Sequence, residues 1–209
     1  MSTRVTRIDL IRHGEPEGGD VFRGRTDHRL TERGRRQFEQ RIARHDASWN
    51  LIVSSPLQRC AESAANLSHT RGLQHEIEGR FAEIDYGDWE NRPVAEVMQQ
   101  ETEIAQQLWQ DPMNFCAPNG EPVPVLQQRV LAAWDALLDQ HSGGHLLVVS
   151  HGGVIRVLAQ HLLSLAPEAM SRLSVPYAGL LRFRIDEVSD GQRFVSLETL
   201  DGQELCRDA

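Results

Sequence analysis

Two short segments, one rich in β-branched residues and one apolar, each lead into a histidine that is followed by glycine. The first run covers residues 5–11 and precedes His13, and the second covers residues 145–150 and precedes His151. The first segment is typical of a buried strand, and the second is a continuous apolar run, which is typical of a strand buried on both faces of a mainly parallel sheet. Ligands bind outside the carboxyl ends of such strands. The pattern therefore predicts that both histidines lie at the binding edge of an α/β fold.

The segments around these runs alternate between strand and helix patterns. This alternation predicts a three-layer αβα fold, with a mostly parallel central sheet and helices on both faces. No repeat, linker or low-complexity segment interrupts the pattern, so we predict one domain over residues 1–209. We predict strands at 5–11, 51–54, 74–78, 145–150, 180–186 and 193–200, and helices at 31–45, 56–69, 94–110, 125–140 and 154–164.

All 22 basic residues of the chain are arginine. The absence of lysine excludes a P-loop lysine, Schiff-base catalysis and pyridoxal chemistry. Any bound anion must be held by arginine, histidine or backbone N–H groups. The net charge of −8 argues against binding to nucleic acid or to an anionic membrane surface.

The cysteines and the apolar segments indicate the compartment. Cys60, Cys116 and Cys206 are odd in number and show no CxxC spacing, so neither a disulfide framework nor a zinc cluster is expected. No apolar run approaches the roughly 20 residues that span a bilayer. The first apolar stretch is too short for a signal peptide. We expect a cytoplasmic protein.

Three separate patches could bind a phosphate group. His13 follows Arg12, whose positive charge disfavours protonation of an imidazole that attacks phosphorus only when neutral. Arg59 falls in the first turn of a predicted helix, where free N–H groups and the helix dipole favour an anion. His151 and Gly152 stand at a strand-to-helix turn that could form a nest of N–H groups. Each patch alone also fits a core histidine, an exposed arginine or a passive capping loop.

A fourth patch, FAEIDYG, offers a proton donor. A general acid must carry a proton, and an apolar surrounding favours the protonated form of a carboxyl group. Glu83 follows Phe81 and Ala82 and is the preferred candidate. Asp85 and Asp88 stay open as rivals, and a loop carboxylate is more often simply exposed.

The joint occurrence of these patches resembles the histidine phosphatase superfamily, with its phosphoglycerate mutase-like fold. The matching segments are LIRHGE, GRTDHRLTERGRRQ, SSPLQRCAESA, FAEIDYGDWEN, PNGEPVPVLQQRV and LLVVSHGGVIRVL. The resemblance implies that His13 is the nucleophile that becomes phosphohistidine. It also implies that Glu83 protonates the leaving group and then activates water, while Arg12, Arg59 and His151 complete the phosphate pocket. Neither a metal nor a cofactor is implied.

Within that superfamily the chain is most similar to α-ribazole phosphatases and related small-molecule phosphatases. Phosphoglycerate mutases also align, but Val94 stands where they carry a lysine. Their pair of adjacent arginines has no counterpart, because no arginine lies between Arg92 and Arg129. The resemblance thus implies a phosphomonoesterase for a small phosphorylated metabolite, with α-ribazole phosphate as the first candidate. A mutase or sugar bisphosphatase of the same fold, and a phosphate-binding module without turnover, are the alternatives.

Two departures from the family pattern affect the predicted binding residues. Gly18 and Gly19 replace the usual Trp-Asn, which removes one expected phosphate contact. Arg23 replaces a common glutamine, and it could bind the distal part of the substrate or face solvent. Tyr86 could line the specificity pocket or pack in the core. The partner is a small phosphate ester, and the exposed edge at residues 180–200 could also pair two copies into a homodimer.

Overall fold

A computed structural model of the protein describes residues 4–203. Cys206 lies outside the described residues. The strands are β1 (Arg4–Arg12), β2 (Leu51–Ser54), β3 (Gln74–Ile77), β4 (His145–Ser150), β5 (Leu180–Glu187) and β6 (Arg193–Asp201). The α-helices are α1 (Glu32–Arg44), α2 (Gln58–Arg71), α3 (Val94–Gln100), α4 (Thr102–Gln110), α5 (Val123–His141) and α6 (Gly152–Leu162).

The six strands form one sheet in the order β3-β2-β4-β1-β5-β6. The first four run parallel, while β5 lies antiparallel to β1 and β6 antiparallel to β5. The prediction of a mostly parallel sheet is confirmed. In the central pair, Arg12 of β1 lies opposite Ser150 of β4. The next residues along the two chains, His13 and His151, consequently emerge side by side.

Helices cover both faces of the sheet, as predicted. Successive strand residues point to opposite faces, so Leu147 and Val148 of β4 belong to two different apolar clusters. The cluster of Leu147 includes Phe38 of α1 and Cys60 of α2, whereas that of Val148 includes residues of α5 and α6, such as Val130. The three-layer arrangement thus follows from strands that are apolar on both sides.

The structure corrects the predicted helix at 94–110, which is interrupted at Glu101. This residue has φ −128° and ψ 41°, outside the helical region. Its carboxylate accepts hydrogen bonds from Nε1 of Trp89 at 2.7 Å and from Nη1 of Arg92 at 2.6 Å. These bonds hold Glu101 against a preceding turn, and the chain continues as a separate helix, α4.

Smaller corrections concern helix starts and the sheet edge. Helix α2 begins at Gln58 rather than at Pro56, because Leu57 is still extended. Helix α6 begins at Gly152 rather than at Val154. The predicted edge at 180–200 is wrong for β5, which pairs with both β1 and β6, so the edge belongs to β6 alone.

Within residues 4–203, no helix has both the length and the apolar character needed to cross a bilayer. Cys60 and Cys116 are free thiols in that range, and Cys60 is buried.

Candidate active site

His13 follows β1 directly and is buried, with 4% of its surface exposed. Its Nδ1 lies 2.7 Å from the carbonyl oxygen of Gly14. A carbonyl only accepts hydrogen bonds, so Nδ1 carries the proton and Nε2 carries the free lone pair. Burial, followed by the charges of Arg59 and Arg12, holds the pKa of His13 well below its usual value. The ring is therefore neutral, with Nε2 ready to act as a nucleophile.

His151 lies against His13 in an edge-to-face arrangement, with ring centroids 5.2 Å apart. Nε of Arg59 donates to Nδ1 of His151 at 3.3 Å, so Nε2 carries the proton and donates to Oγ of Ser55 at 2.7 Å. Burial and then Arg59 lower the pKa of His151 well below its usual value. If Nε2 of His151 donated its proton to a hydrogen bond with a phosphoryl oxygen, that bond would take the place of the one to Ser55.

Arg59, in the first turn of α2, is almost fully buried. Its Nη1 donates to the carbonyl of Thr26 at 2.8 Å, and its Nη2 donates to that of Gly24 at 2.7 Å. The N–H of Gln58 donates to the carboxylate of Asp27 at 2.7 Å. The expectation that the start of α2 is free for an anion is wrong, because Asp27 occupies it.

Glu90 holds the loop that positions Arg59. Its carboxylate accepts hydrogen bonds from the backbone N–H groups of Gly24, Arg25 and Thr26, and from the Thr26 hydroxyl. Burial by itself raises the pKa of Glu90. The hydrogen bonds from Thr26 and from backbone N–H groups outweigh it, and the net pKa lies below the ordinary value. A charged Glu90 thus stabilises the loop whose carbonyls orient Arg59.

Arg12 reaches the site from the last position of β1. Its Nη1 donates to the carbonyl of Val175 at 2.6 Å, and its guanidinium carbon lies 4.3 Å from the ring centre of Tyr177. Within the described residues its Nε is buried without a hydrogen-bond partner. A buried unpaired donor is costly. A bound phosphoryl oxygen would satisfy it.

Glu83 comes from the loop after residues 79–81, packs against the start of α6 and is 8% exposed. Oε1 accepts from the N–H of Ile84 at 3.0 Å, and Oε2 accepts from the N–H of Gly153 at 3.1 Å. A Cβ at residue 153 would collide with Oε1 of Glu83, so glycine is needed for this approach. A Cβ at Gly152 would lie 3.6 Å from the guanidinium carbon of Arg12, an ordinary contact, so only Gly153 is required for the approach of a charged side chain.

The rival carboxylates serve other purposes. Asp85 accepts from the N–H of Gly87 at 2.8 Å within a turn, and Asp88 is exposed and accepts from the side chain of Asn119 at 2.9 Å. Among the three candidates, Glu83 alone bonds to the start of α6 beside Arg12.

The sequence profile of the histidine phosphatase superfamily, branch 1, matches residues 8–198. The chain belongs to this superfamily. It is a phosphatase whose mixed six-stranded sheet has the architecture of other histidine phosphatases.

Similar proteins carry two kinds of name. An adenosylcobalamin/α-ribazole phosphatase of Escherichia coli is 28% identical over 95% of this chain and 97% of its own length. A probable phosphoglycerate mutase of Yersinia enterocolitica is 30% identical over 88% of this chain and 86% of its own. The crystal structure of the α-ribazole phosphatase from Shigella flexneri has a TM-score of 0.77 and 30% identity, covering 93% of this chain and 95% of that one.

Arg23 of this histidine phosphatase is half-buried and does not simply face solvent. Its Nε donates to Nδ1 of His28 at 2.9 Å, and its Nη2 donates to the carbonyls of Glu17 and Gly19 at 2.8 Å. Its charge contributes to the low pKa of His13. Arg23 thus lies within electrostatic reach of the nucleophile.

Tyr86 fits both of its sequence interpretations. Its ring packs edge-to-face on Phe22 with centroids 5.0 Å apart, and it also lines a cavity next to Glu83. Burial, with the charge of Glu83 next, raises the pKa of Tyr86.

Sequence reasoning missed Tyr177, Arg156, Ser55 and Glu90 as parts of this histidine phosphatase site. Tyr177 comes from a loop before β5, and its ring centroid lies 5.9 Å from that of His13. No motif or periodicity marks it. Arg156 follows the SHGG segment by one helical turn, which is the one signal that could have identified it. Within residues 4–203, no three His, Cys, Asp or Glu side chains are grouped to hold a metal ion.

Proposed function

We propose that this histidine phosphatase hydrolyses a small phosphomonoester through a phosphohistidine on His13, without a metal. The observation that carries the proposal is the neutral His13 ring, with a free lone pair on Nε2, in the field of Arg59 and Arg12. Guanidinium groups can supply the charge stabilisation that metal ions supply at other phosphoryl-transfer sites.

The first step transfers the phosphoryl group to the enzyme. Nε2 of His13 attacks phosphorus, the ester P–O bond breaks, and Glu83 donates its proton to the departing alkoxide. Arg12, Arg59 and the N–H of Gly152 bind the phosphoryl oxygens, and His151 stabilises the added charge. Arg23 and Tyr86 contact the rest of the substrate.

The second step returns the enzyme to its starting state. Glu83, now a carboxylate, takes a proton from water, and the oxygen attacks the phosphohistidine. The N–P bond breaks, inorganic phosphate leaves, and His13 regains its lone pair.

The first candidate substrate is α-ribazole 5′-phosphate. The names of the Escherichia coli and Shigella flexneri relatives support it. The chain has no lysine, and Val94 stands where phosphoglycerate mutases carry one. This disfavours a mutase that binds a second acidic group of its substrate. Free thiols at Cys60 and Cys116 support a cytoplasmic location.

The test is to trap the phosphoenzyme. Enzyme mixed with ³²P-labelled substrate and quenched in alkali should carry acid-labile label, and His13→Ala should carry none. His161→Ala provides a control, since His161 is an exposed histidine of α6. Label on His13→Ala would refute the nucleophile assignment. Release of inorganic phosphate should persist after chelation, and α-ribazole 5′-phosphate should give a higher kcat/KM than 3-phosphoglycerate.

A further inference from the structure

A cavity of about 190 Å³ lies beside the carboxyl group of Glu83. Ile84 and Gly153 form part of its wall, and the N–H groups of these two residues are the donors to the Glu83 carboxylate. A leaving group that takes its proton from Glu83 therefore departs next to this cavity. The cavity is large for a simple alcohol, since one of about 150 Å³ accommodates benzene.

The wall of the cavity is predominantly apolar. Eight of its eleven lining residues have apolar or aromatic side chains, among them Tyr86, Leu108, Leu126 and Met170. Trp109 also lines it, and this side chain is 45% exposed, so it forms part of the rim. An apolar group enclosed here would be removed from water, which favours a leaving group with an apolar part.

Besides the Tyr86 hydroxyl, two polar side chains line the wall, and each donates a hydrogen bond to a backbone carbonyl. Oγ of Ser171 donates to the carbonyl of Trp109 at 2.9 Å. Nε of Arg156 donates to the carbonyl of Leu173 at 3.0 Å. Nη1 of Arg156 would lie 3.2 Å from a Cβ at Gly152, so this charge lies at the phosphate end of the cavity.

We infer that the leaving group carries a flat apolar ring, which occupies the cavity between Tyr86 and Trp109. The substrates are then phosphomonoesters of alcohols that bear an aromatic or heteroaromatic ring. This inference rests on the proposed function, because the cavity receives the group that departs toward Glu83. Aromatic walls favour a ring over a flexible chain through stacked or edge-to-face contacts.

A binding experiment tests the inference without turnover. Methylphosphonate and benzylphosphonate differ by one phenyl ring, and neither can be hydrolysed by P–O cleavage. Calorimetry on the wild type should show benzylphosphonate binding about tenfold more tightly or better, as burial of one ring predicts. Trp109→Ala should reduce this advantage to about threefold or less. Phe194→Ala should leave it unchanged, since Phe194 is a comparably exposed aromatic (53%) on β6, outside the cavity wall.

A kinetic comparison gives the second readout. Benzyl phosphate and ethyl phosphate both release alkoxides, so the proton donor is equally needed for each. Trp109→Ala should raise KM for benzyl phosphate and leave ethyl phosphate unaffected.

The two proposals fail in different ways. Equal affinity of the two phosphonates for the wild type would overturn the ring pocket, whatever the turnover. A ring preference in binding, combined with no phosphoenzyme, would instead overturn the hydrolytic step and keep the pocket.

Discussion

At the scale of single residues, the site depends on where each imidazole keeps its proton. The carbonyl of Gly14 fixes the proton of His13 on Nδ1, and Arg59 fixes that of His151 on Nε2. The two rings therefore have opposite tautomers, although each follows a strand and precedes glycine. This difference makes His13 the better nucleophile, because only its Nε2 has a lone pair that no protein donor occupies within the described residues.

Tyr177 is expected to support Arg12 through its ring. Tyr177→Ala removes the surface under the guanidinium, and a cation–π contact contributes about 1 kcal/mol or more, so kcat/KM should fall about fivefold or more. Tyr177→Phe keeps the ring over Arg12 and loses only the hydroxyl, so its kcat/KM should stay within about threefold. Steady-state kinetics of both variants with one alkyl phosphate would measure these changes in kcat/KM. Wild-type kinetics in the alanine variant would show that the ring does not position Arg12.

At the scale of elements, the start of α6 brings the proton donor to the nucleophile. The N–H of Gly153 holds Glu83, and the missing Cβ of Gly153 makes room for the Glu83 carboxyl group. Helix starts attract anionic groups through their free N–H groups and dipole. The same helix end thus orients a carboxylate and leaves room for a phosphoryl group.

Gly153→Ala should displace Glu83 and impair proton donation. General acid catalysis contributes about 100-fold or more, so kcat for an alkyl phosphate should fall by about that factor. Hydrolysis of p-nitrophenyl phosphate should fall much less, because its leaving group needs no proton. Gly79→Ala is the matched control, since a Cβ there meets nothing within 4 Å. Equal losses with both substrates would contradict a specific effect on the proton donor.

At the scale of the whole molecule, the buried neutral histidines link stability to pH. The pKa values of His13 and His151 are lowered in the folded state, so below about pH 6.5 the unfolded chain binds protons that the folded chain does not. The contribution of these histidines to stability is therefore fully present above that pH and is lost as the pH falls. Each such proton changes the free energy of unfolding by about 1.4 kcal/mol per pH unit.

The melting temperature should accordingly fall between pH 7 and pH 5. His13→Asn should reduce this slope, because asparagine takes up no proton, while exchange of the exposed His161 for asparagine should preserve it. Thermal unfolding followed by circular dichroism at several pH values measures both slopes. A slope that is the same in His13→Asn and the wild type would show that His13 does not carry the effect.

The sheet edge also belongs to the whole molecule. Strand β6 closes the sheet at one end, and Phe194 and Leu200 on it are exposed at 53% and 55%. The homodimer stays a prediction, now restricted to this single strand.

The sequence by itself determined the αβα fold and the segments that contribute His13, Arg59, Glu83 and His151. Each lies in a local pattern, namely an apolar run that stops at histidine and glycine, a helix start, or a carboxylate beside apolar residues. Such patterns arise because strand ends and helix starts are set by neighbouring residues in the chain.

The tertiary structure alone decided the tautomers, the contacts of Tyr177 and Glu90, and the break at Glu101. The tautomer of His151 and the contacts of Tyr177 and Glu90 depend on hydrogen bonds and ring contacts between segments far apart in the chain, such as Arg59 with His151 or Tyr177 with His13. No local periodicity encodes such contacts, because they exist only once the sheet has brought the segments together. The cavity beside Glu83 is of the same kind, since its walls come from five separate stretches of the chain.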